Sequence, residues 1–255
     1  MIVDACLRDG RGGSPTLVVE DTPIADSARA LAPGVAGASH AAFVALGDEV
    51  ADVRFFTSTG ELPACGHGTV AALIWLADRF GRDGVFTLRV SGRMFQGRVE
   101  GDRAWFPQAP VALREPGDVS AVLGALGLDP ELPGVRAAST GRWRLLIPVD
   151  SRGRLDALEP DLEALRSACD AAGLLGCYVY TPPATGSRPA ARMFAPSIGV
   201  PEDIANVNST SCLLAALGVP EISVDMGDRL GHPATVLVRL SDGRLQAGGA
   251  ARIRI

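Results

Sequence analysis

The sequence predicts an α+β protein built as two similar halves, in each of which strands lead through a polar turn into one apolar helix. Three observations carry this. The stretch "FTSTGELPACGHGTVAALIWL" passes from a strand through a polar turn into an apolar run of helical period, and "FAPSIGVPEDIANVNSTSCLLAALG" repeats the pattern. In both, a proline follows a phenylalanine at the same spacing, Phe56 to Pro63 and Phe194 to Pro201. The chain has 255 residues, 47% of them hydrophobic, which is enough for one large domain or two small ones with buried cores.

In order, "MIVDAC" and "TLVVE" read as strands joined by the Gly-rich turn "RDGRGGSP". "DTPIADSARALA" has a helix start and apolar spacing, and "HAAFVAL" and "VRFFTS" are strand-like. The helix after "ELPACGHG" runs about four turns to "RFGRDG", and "FTLRV", "MFQGRVE" and "RAWFP" form a meander. The Pro-rich "PQAPVALREPGD" marks the division, giving halves of residues 1–112 and 113–255. The second half reads as a helix "DVSAVLGALG", a strand "RWRLLIPV", and a helix "DLEALRSACDAAG" with Leu162, Leu165 and Cys169 on one face. Strands "CYVYTP" and "AARMFAP", the second turn-and-helix unit, and strands "EISVDMG", "PATVLVRL" and "ARIRI" complete it.

Composition excludes several function classes. A net charge of −5 argues against a nucleic-acid or acidic-membrane partner, since both require a concentrated basic surface. The longest apolar run, "TVAALIWLA", is too short to span a bilayer. Charges in "MIVDACLRDGRGG" fall where a secretory signal needs its apolar region, so a cytoplasmic protein is expected. Five cysteines, odd in number and without CxxC spacing, read as reduced thiols. Lysine is absent, and the heavy use of arginine, alanine and glycine reads as genomic base composition.

The chemistry concentrates at "CGHG". Cys65, Gly66, His67 and Gly68 occupy the turn and first helical positions, where backbone amides lack intrahelical partners and glycines let a ligand approach. A zinc site would need at least three ligands in a chain with only three histidines, which weighs against it, and a phosphate loop would need a lysine, so that reading fails. What remains is an acid–base or nucleophilic cysteine, or a capped helix whose cysteine is merely buried. Two such helix starts facing one cleft would suit a carboxylate.

The same segments resemble the PhzF family, the phenazine-biosynthesis isomerases related to diaminopimelate epimerase and proline racemase. "IVDACLRDGRGGSPTLVV" is similar to the family's opening strand, Gly-Asn-Pro turn and second strand, with Ser14 for the usual Asn. "ASHAAFV", "ELPACGHG", "ARMFAPSIGVPED" and "GHPATVLV" are similar to four further family signatures. The resemblance implies halves that are each a mixed sheet or open barrel around a central helix, an active site between them, a homodimer, and cofactor-free, metal-free proton transfer on a small unsaturated carboxylic acid.

The departures from the family matter as much. The family's base, a glutamate, is replaced here by His40 beside Ser39. A histidine can also take and return a proton, and its unperturbed pKa of about 6.5 is closer to neutrality than that of glutamate at about 4.3. Its alternative is a lost base whose ring is simply hydrogen-bonded. Cys65 stands where the racemase relatives carry one of two catalytic thiols; the second has no counterpart in "EDIANVNSTS", and Cys212 lies further on. Asp203 matches the family's aspartate, expected to orient the substrate or tune the base, or to cap the turn. His67 matches the family's histidine, expected to bind substrate, relay the proton or lock the turn. Asn206, Asn208 and Ser209, with Gly66, Gly68 and Ser39, are the expected substrate contacts, and His232 is read as structural. These substitutions point away from the phenazine precursor and toward another conjugated or imine-bearing small acid, such as a substituted pyrroline carboxylate, in secondary metabolism. The expected function is a double-bond or tautomer isomerase using His40. The alternatives are a Cys65-dependent racemase, epimerase or dehydratase, and a non-catalytic small-acid binder.

Overall fold

Alternation along the strands decides which side chains face each helix. In a computed structural model that describes residues 1–254, the first half comprises β1 (Ile2–Ala5), β2 (Ser14–Glu20), α1 (Asp26–Val35), β3 (His40–Leu46), β4 (Val50–Thr57), β5 (Gly60–Leu62), α2 (Gly66–Phe80), β6 (Gly84–Val90), β7 (Arg93–Glu100) and β8 (Arg103–Pro107). Ala42 and Val44 of β3, with Val53 and Phe55 of β4, point inward onto α2, while Ala41, Phe43 and Phe56 point outward under α1. Twelve of the fifteen residues of α2 are buried, from Gly66 to Ala77, which explains why that segment is apolar on every side.

The second half comprises β9 (Ala112–Arg114), α3 (Ser120–Ala125), β10 (Arg136–Ser139), β11 (Trp143–Pro148), α4 (Arg152–Asp156), α5 (Leu162–Ala171), β12 (Cys177–Tyr180), β13 (Ala191–Ala195), β14 (Val200–Asp203), α6 (Val207–Leu217), β15 (Glu221–Met226), β16 (Ala234–Ser241) and β17 (Arg244–Ile253). Ile255, the end of the expected strand "ARIRI", lies outside the described residues.

The first barrel is closed: β1-β2-β3-β4-β6-β7-β8-β17 run in order, and β17 returns to β1 through the pairs Val3–Ile253, Asp4–Arg252 and Ala5–Ala251. A strand placed with residues 113–255 by the sequence division thus supplies the last stave around α2. From β17 the sheet continues through β16 to β15, and a separate six-stranded sheet runs β14-β13-β12-β11-β10-β9. Leu146, Tyr178 and Met193 of that second sheet face α6 and join one core with the barrel; Leu145, Ile147, Val179 and Phe194 face the other way under α3 and α5. An α+β fold of two helix-centred halves is therefore what forms, closed in the first half and open in the second.

Smaller elements escaped the sequence pattern. Strands β5, β9, β10 and β14 are three or four residues long, and α4 five. On α5, Leu165 and Cys169 are buried as expected, but Leu162 at the first position is 37% exposed. Asp161 caps α5, its Oδ1 accepting from the amides of Glu163 and Ala164 at 3.1 and 3.0 Å. Asp161→Ala is expected to cost about 1 kcal/mol of stability, read by chemical denaturation. All five cysteines are free and buried. Among the described residues no helix is long and apolar enough to cross a membrane.

Candidate active site

The two central helices begin against one another. A Cβ placed on Gly66 would stand 2.3 Å from Val207 Cβ, so only glycine allows the two first turns this approach. At the start of α2, Thr69 makes the first helical bond, to Cys65 O, and no side chain caps the turn. The amides of Gly66, His67 and Gly68 are left free. At α6, Asn206 Oδ1 accepts from Ser209 N at 2.8 Å, leaving the amides of Val207 and Asn208.

A cavity of about 270 Å³ opens between these starts, lined by His40, Cys65, Gly66, His67, Asp203, Asn206 and Asn208 among others. Strand parity brings His40 there. It opens β3 on the same face as Ala42 and Val44, and is 3% exposed. The His40 and His67 rings meet edge to face at 4.3 Å. Ser39 Oγ lies 2.8 Å from His40 Nδ1. His67 Nδ1 donates to Ala205 O at 2.8 Å, and its Nε2 lies 3.5 Å from Cys65 Sγ. Asp203, at the end of β14, places Oδ1 3.9 Å from His67 Nδ1, and its Oδ2 accepts from Asn206 Nδ2 at 2.9 Å.

The two histidines differ in charge for physical reasons. Burial, and then the neighbouring His67 charge, hold His40 well below the ordinary histidine range, so it is neutral at pH 7. Burial pushes His67 the same way, but its electrostatic interactions with Cys65 and Asp203, with the hydrogen bonds to Cys65 Sγ and Ala205 O, outweigh it and move His67 up to about 10. Burial also raises Asp203, against the opposing pull of His67 and the Asn206 bond. A neutral imidazole thus sits against an imidazolium: one group ready to accept a proton, one ready to donate.

Of the expected substrate contacts, Gly66, Asn206 and Asn208 line the cavity. Ser39, Gly68 and Ser209 do not. Ser39 is exposed and holds His40 from behind. Gly68 is a packing residue, since a Cβ there would meet Cys65 Sγ and Phe55 at 2.9 Å. Ser209 is fully buried, its hydroxyl accepting from Arg144 and contacting Met193 Sδ. His232 lies in the β15–β16 loop away from the cavity, and Cys212 is buried within α6.

Sequence reasoning missed Arg144, which lines the cavity while only 2% exposed. The signal was available, because alternation in "RWRLLIP" puts an arginine on the same inward face as Leu146. Arg93 and Arg142 also line the cavity and are exposed. The fold further gathers a nitrogen from each of His40 and His67 and Cys65 Sγ within 4.8 Å of one another. That nitrogen–sulfur set could hold a soft divalent ion such as zinc, a constellation the dispersed sequence positions concealed.

Residues 26–251 match the PhzC-PhzF family, described as phenazine biosynthesis-like protein. An uncharacterized isomerase of Deinococcus radiodurans is 34% identical over 186 residues, which cover 68% of this chain and 60% of that protein. A trans-2,3-dihydro-3-hydroxyanthranilate isomerase of Pseudomonas aeruginosa is 28% identical over 75% of this chain and 71% of its own length. The crystal structure of a PhzF-family phenazine biosynthesis protein from Bacillus anthracis superposes with a TM-score of 0.82 at 17% identity, covering 98% of this chain and 94% of that one.

Proposed function

The chain belongs to the PhzC-PhzF family of phenazine biosynthesis-like proteins, and from that premise we propose that it is a cofactor-free isomerase that shifts a double bond or tautomer in a small unsaturated or pyrroline-type carboxylic acid. The observation that carries this reading is the neutral His40 set against the His67 cation in a cavity between two helix starts that leave backbone amides free. The relatives named isomerases support the reaction class.

In the proposed reaction, Nδ1–H of His40 donates to Ser39 Oγ, which leaves the Nε2 lone pair for the substrate. Nε2 takes an acidic C–H proton, and the electron pair moves through the conjugated system onto the carboxyl group. The free amides at Gly66 and His67, with the His67 cation, stabilise that charge as it grows. His40 then returns the proton at the far end of the conjugated system, so atoms and electrons balance without a redox partner. Asp203 acts through Asn206 and His67 by keeping the imidazolium oriented and charged. A homodimer in secondary metabolism is the setting this reading favours.

One observation favours a second reading. Cys65 Sγ at 3.5 Å from His67 Nε2 is an acid–base pair of the kind a racemase, epimerase or dehydratase would use. A two-thiol version lacks its second sulfur, since no other cysteine among the described residues lines the cavity.

The test is proton NMR in deuterated buffer with a panel of small conjugated and pyrroline carboxylic acids, on chelator-treated protein. Deuterium entering one carbon with wild type and Cys65→Ala, but not with His40→Gln, is the expected result. Exchange lost only in Cys65→Ala would transfer the base to the thiol. Exchange lost on chelation and restored by zinc would make the site a metal centre, and binding without exchange on any compound would leave a non-catalytic binder.

A further inference from the structure

Arg144 is a buried cation without an anion. Of its donors, Nη1 reaches Ser209 Oγ at 3.2 Å and Nη2 reaches Arg142 O at 2.9 Å, both neutral acceptors, while Nε has no partner. Among the described residues no carboxylate pairs with it, although the chain pairs its other deeply buried arginines, Arg29 with Asp21 and Arg192 with Glu202. Burying a guanidinium without a counter-charge is costly, and folds tolerate it where a ligand supplies the charge. Burial also lowers its pKa, a shift that an incoming anion would reverse.

The surroundings specify the sign of that ligand. Arg144 lines the cavity together with Arg93 and Arg142, and Asp203, engaged with Asn206 and His67, is the single carboxylate on the lining among the described residues. In a chain of net charge −5 this is a local concentration of positive charge. The free amides of Val207 and Asn208, at the start of the eleven-residue α6, line the same wall.

We infer that Arg144 is the carboxylate anchor of the cavity: its guanidinium and the α6 amides hold one oxygen of the substrate's carboxylate while the α2 amides and His67 take the other, which fixes its orientation toward His40 and restricts the site to acids over their neutral amides. The inference rests on the reading of the site as one for small carboxylic acids, and it names the residue that selects them. Arg144 takes no part in moving the proton. It recognises a planar anion through a fork of N–H donors, which a lysine would reproduce only in charge.

Benzoate and benzamide test this, being near-isosteric planar probes that differ in charge. Titration calorimetry and thermal unfolding of the wild type are expected to show benzoate binding with an increase in Tm, and benzamide binding at least ten-fold more weakly. In Arg144→Met and Arg144→Gln the benzoate affinity should fall at least ten-fold, to that of benzamide, and the Tm increase should vanish. The ligand-free Arg144→Met protein should melt no lower than the wild type, because an apolar side chain of similar length replaces an unneutralised charge. Equal benzoate affinity in wild type and both variants, or no preference of the wild type for benzoate, would overturn the assignment. So would a large drop in Tm of both ligand-free variants with the benzoate preference retained, which would make Arg144 a strut for Ser209. Deuterium exchange is scored separately. An Arg144-dependent benzoate preference in a protein that exchanges no proton keeps the anion site while the isomerase reading fails; exchange with an unchanged KM in Arg144→Gln does the reverse.

Discussion

Replacing His40 by glutamine should slow deuterium incorporation about 10³-fold while the protein stays folded and still binds a carboxylate, since a positioned general base contributes about 10²–10⁴-fold. The side chain lies on the inner face of β3 at the cavity floor, and glutamine keeps its approximate reach and a polar atom toward Ser39. What is lost is the nitrogen lone pair. His40→Glu would place there the residue type that the family resemblance expects, beside a cationic His67 that favours the carboxylate. Partial recovery of exchange in that variant, measured by the same NMR time course, would assign the base to this position. A His40→Gln protein exchanging within ten-fold of the wild type would remove His40 from the mechanism.

The two histidines also set the pH dependence. His40 is competent when neutral, and burial holds its pKa well below 6.5, so kcat/KM should stay level through neutrality and fall only as the pH drops well below that value. His67 is competent when protonated, and with its pKa near 10 the alkaline limb should fall as the pH rises through about 10. A bound carboxylate favours the imidazolium form of His40, so the acid limb of kcat should lie at higher pH than that of kcat/KM, which reports the free protein. An acid limb at the ordinary histidine value in kcat/KM would place the essential base in a more exposed group than His40.

Legibility in the sequence followed the range of the interaction. Strand alternation and helix period are local, so "HAAFVAL" already placed His40 on the same face as Ala42 and Val44, and the two helix starts were visible as polar turns before apolar runs. The closing of the barrel was not visible, because β17 pairs with β1 at the other end of the chain and with mid-chain β8, and no local residue encodes either register. Arg144 was overlooked for a related reason. An arginine in a strand is ordinarily solvated, and only the arrival of α6 over that face makes it buried and unpaired. Ser209 and Gly68 erred in the opposite sense. Their positions in the turns are those of ligand-binding residues, but Ser209 sits beneath its helix as an acceptor for Arg144, and Gly68 gives room to Cys65 and Phe55. The proximity of His40, Cys65 and His67 was half legible, since two of the three share one turn and the third arrives on a different strand.

Gly66→Ala tests whether the approach of the two helix starts is what makes the site. The added methyl would meet Val207 Cβ at 2.3 Å and its two γ-carbons at 3.0 Å. Because the nearest atom is bonded directly to the backbone, no rotamer of Val207 relieves the overlap, and the first turns of α2 and α6 must separate. Overpacking of this kind costs about 1–3 kcal/mol in general, so a loss of about 3 kcal/mol is expected by chemical denaturation. The catalytic loss should be larger than the stability loss implies. His67 bonds Ala205 O across the same seam, and a displacement of about 1 Å from the productive geometry can cost about 10²-fold in rate. Val207→Gly removes the opposing Cβ, so the double variant Gly66→Ala, Val207→Gly should recover a large part of both losses although Val207→Gly alone is harmful. That sign of coupling is the decisive readout, because two independent lesions would add. Additive losses in the double variant would mean that the contact between the helix starts is incidental and that the amides at Gly66 and His67 are positioned by the barrel alone.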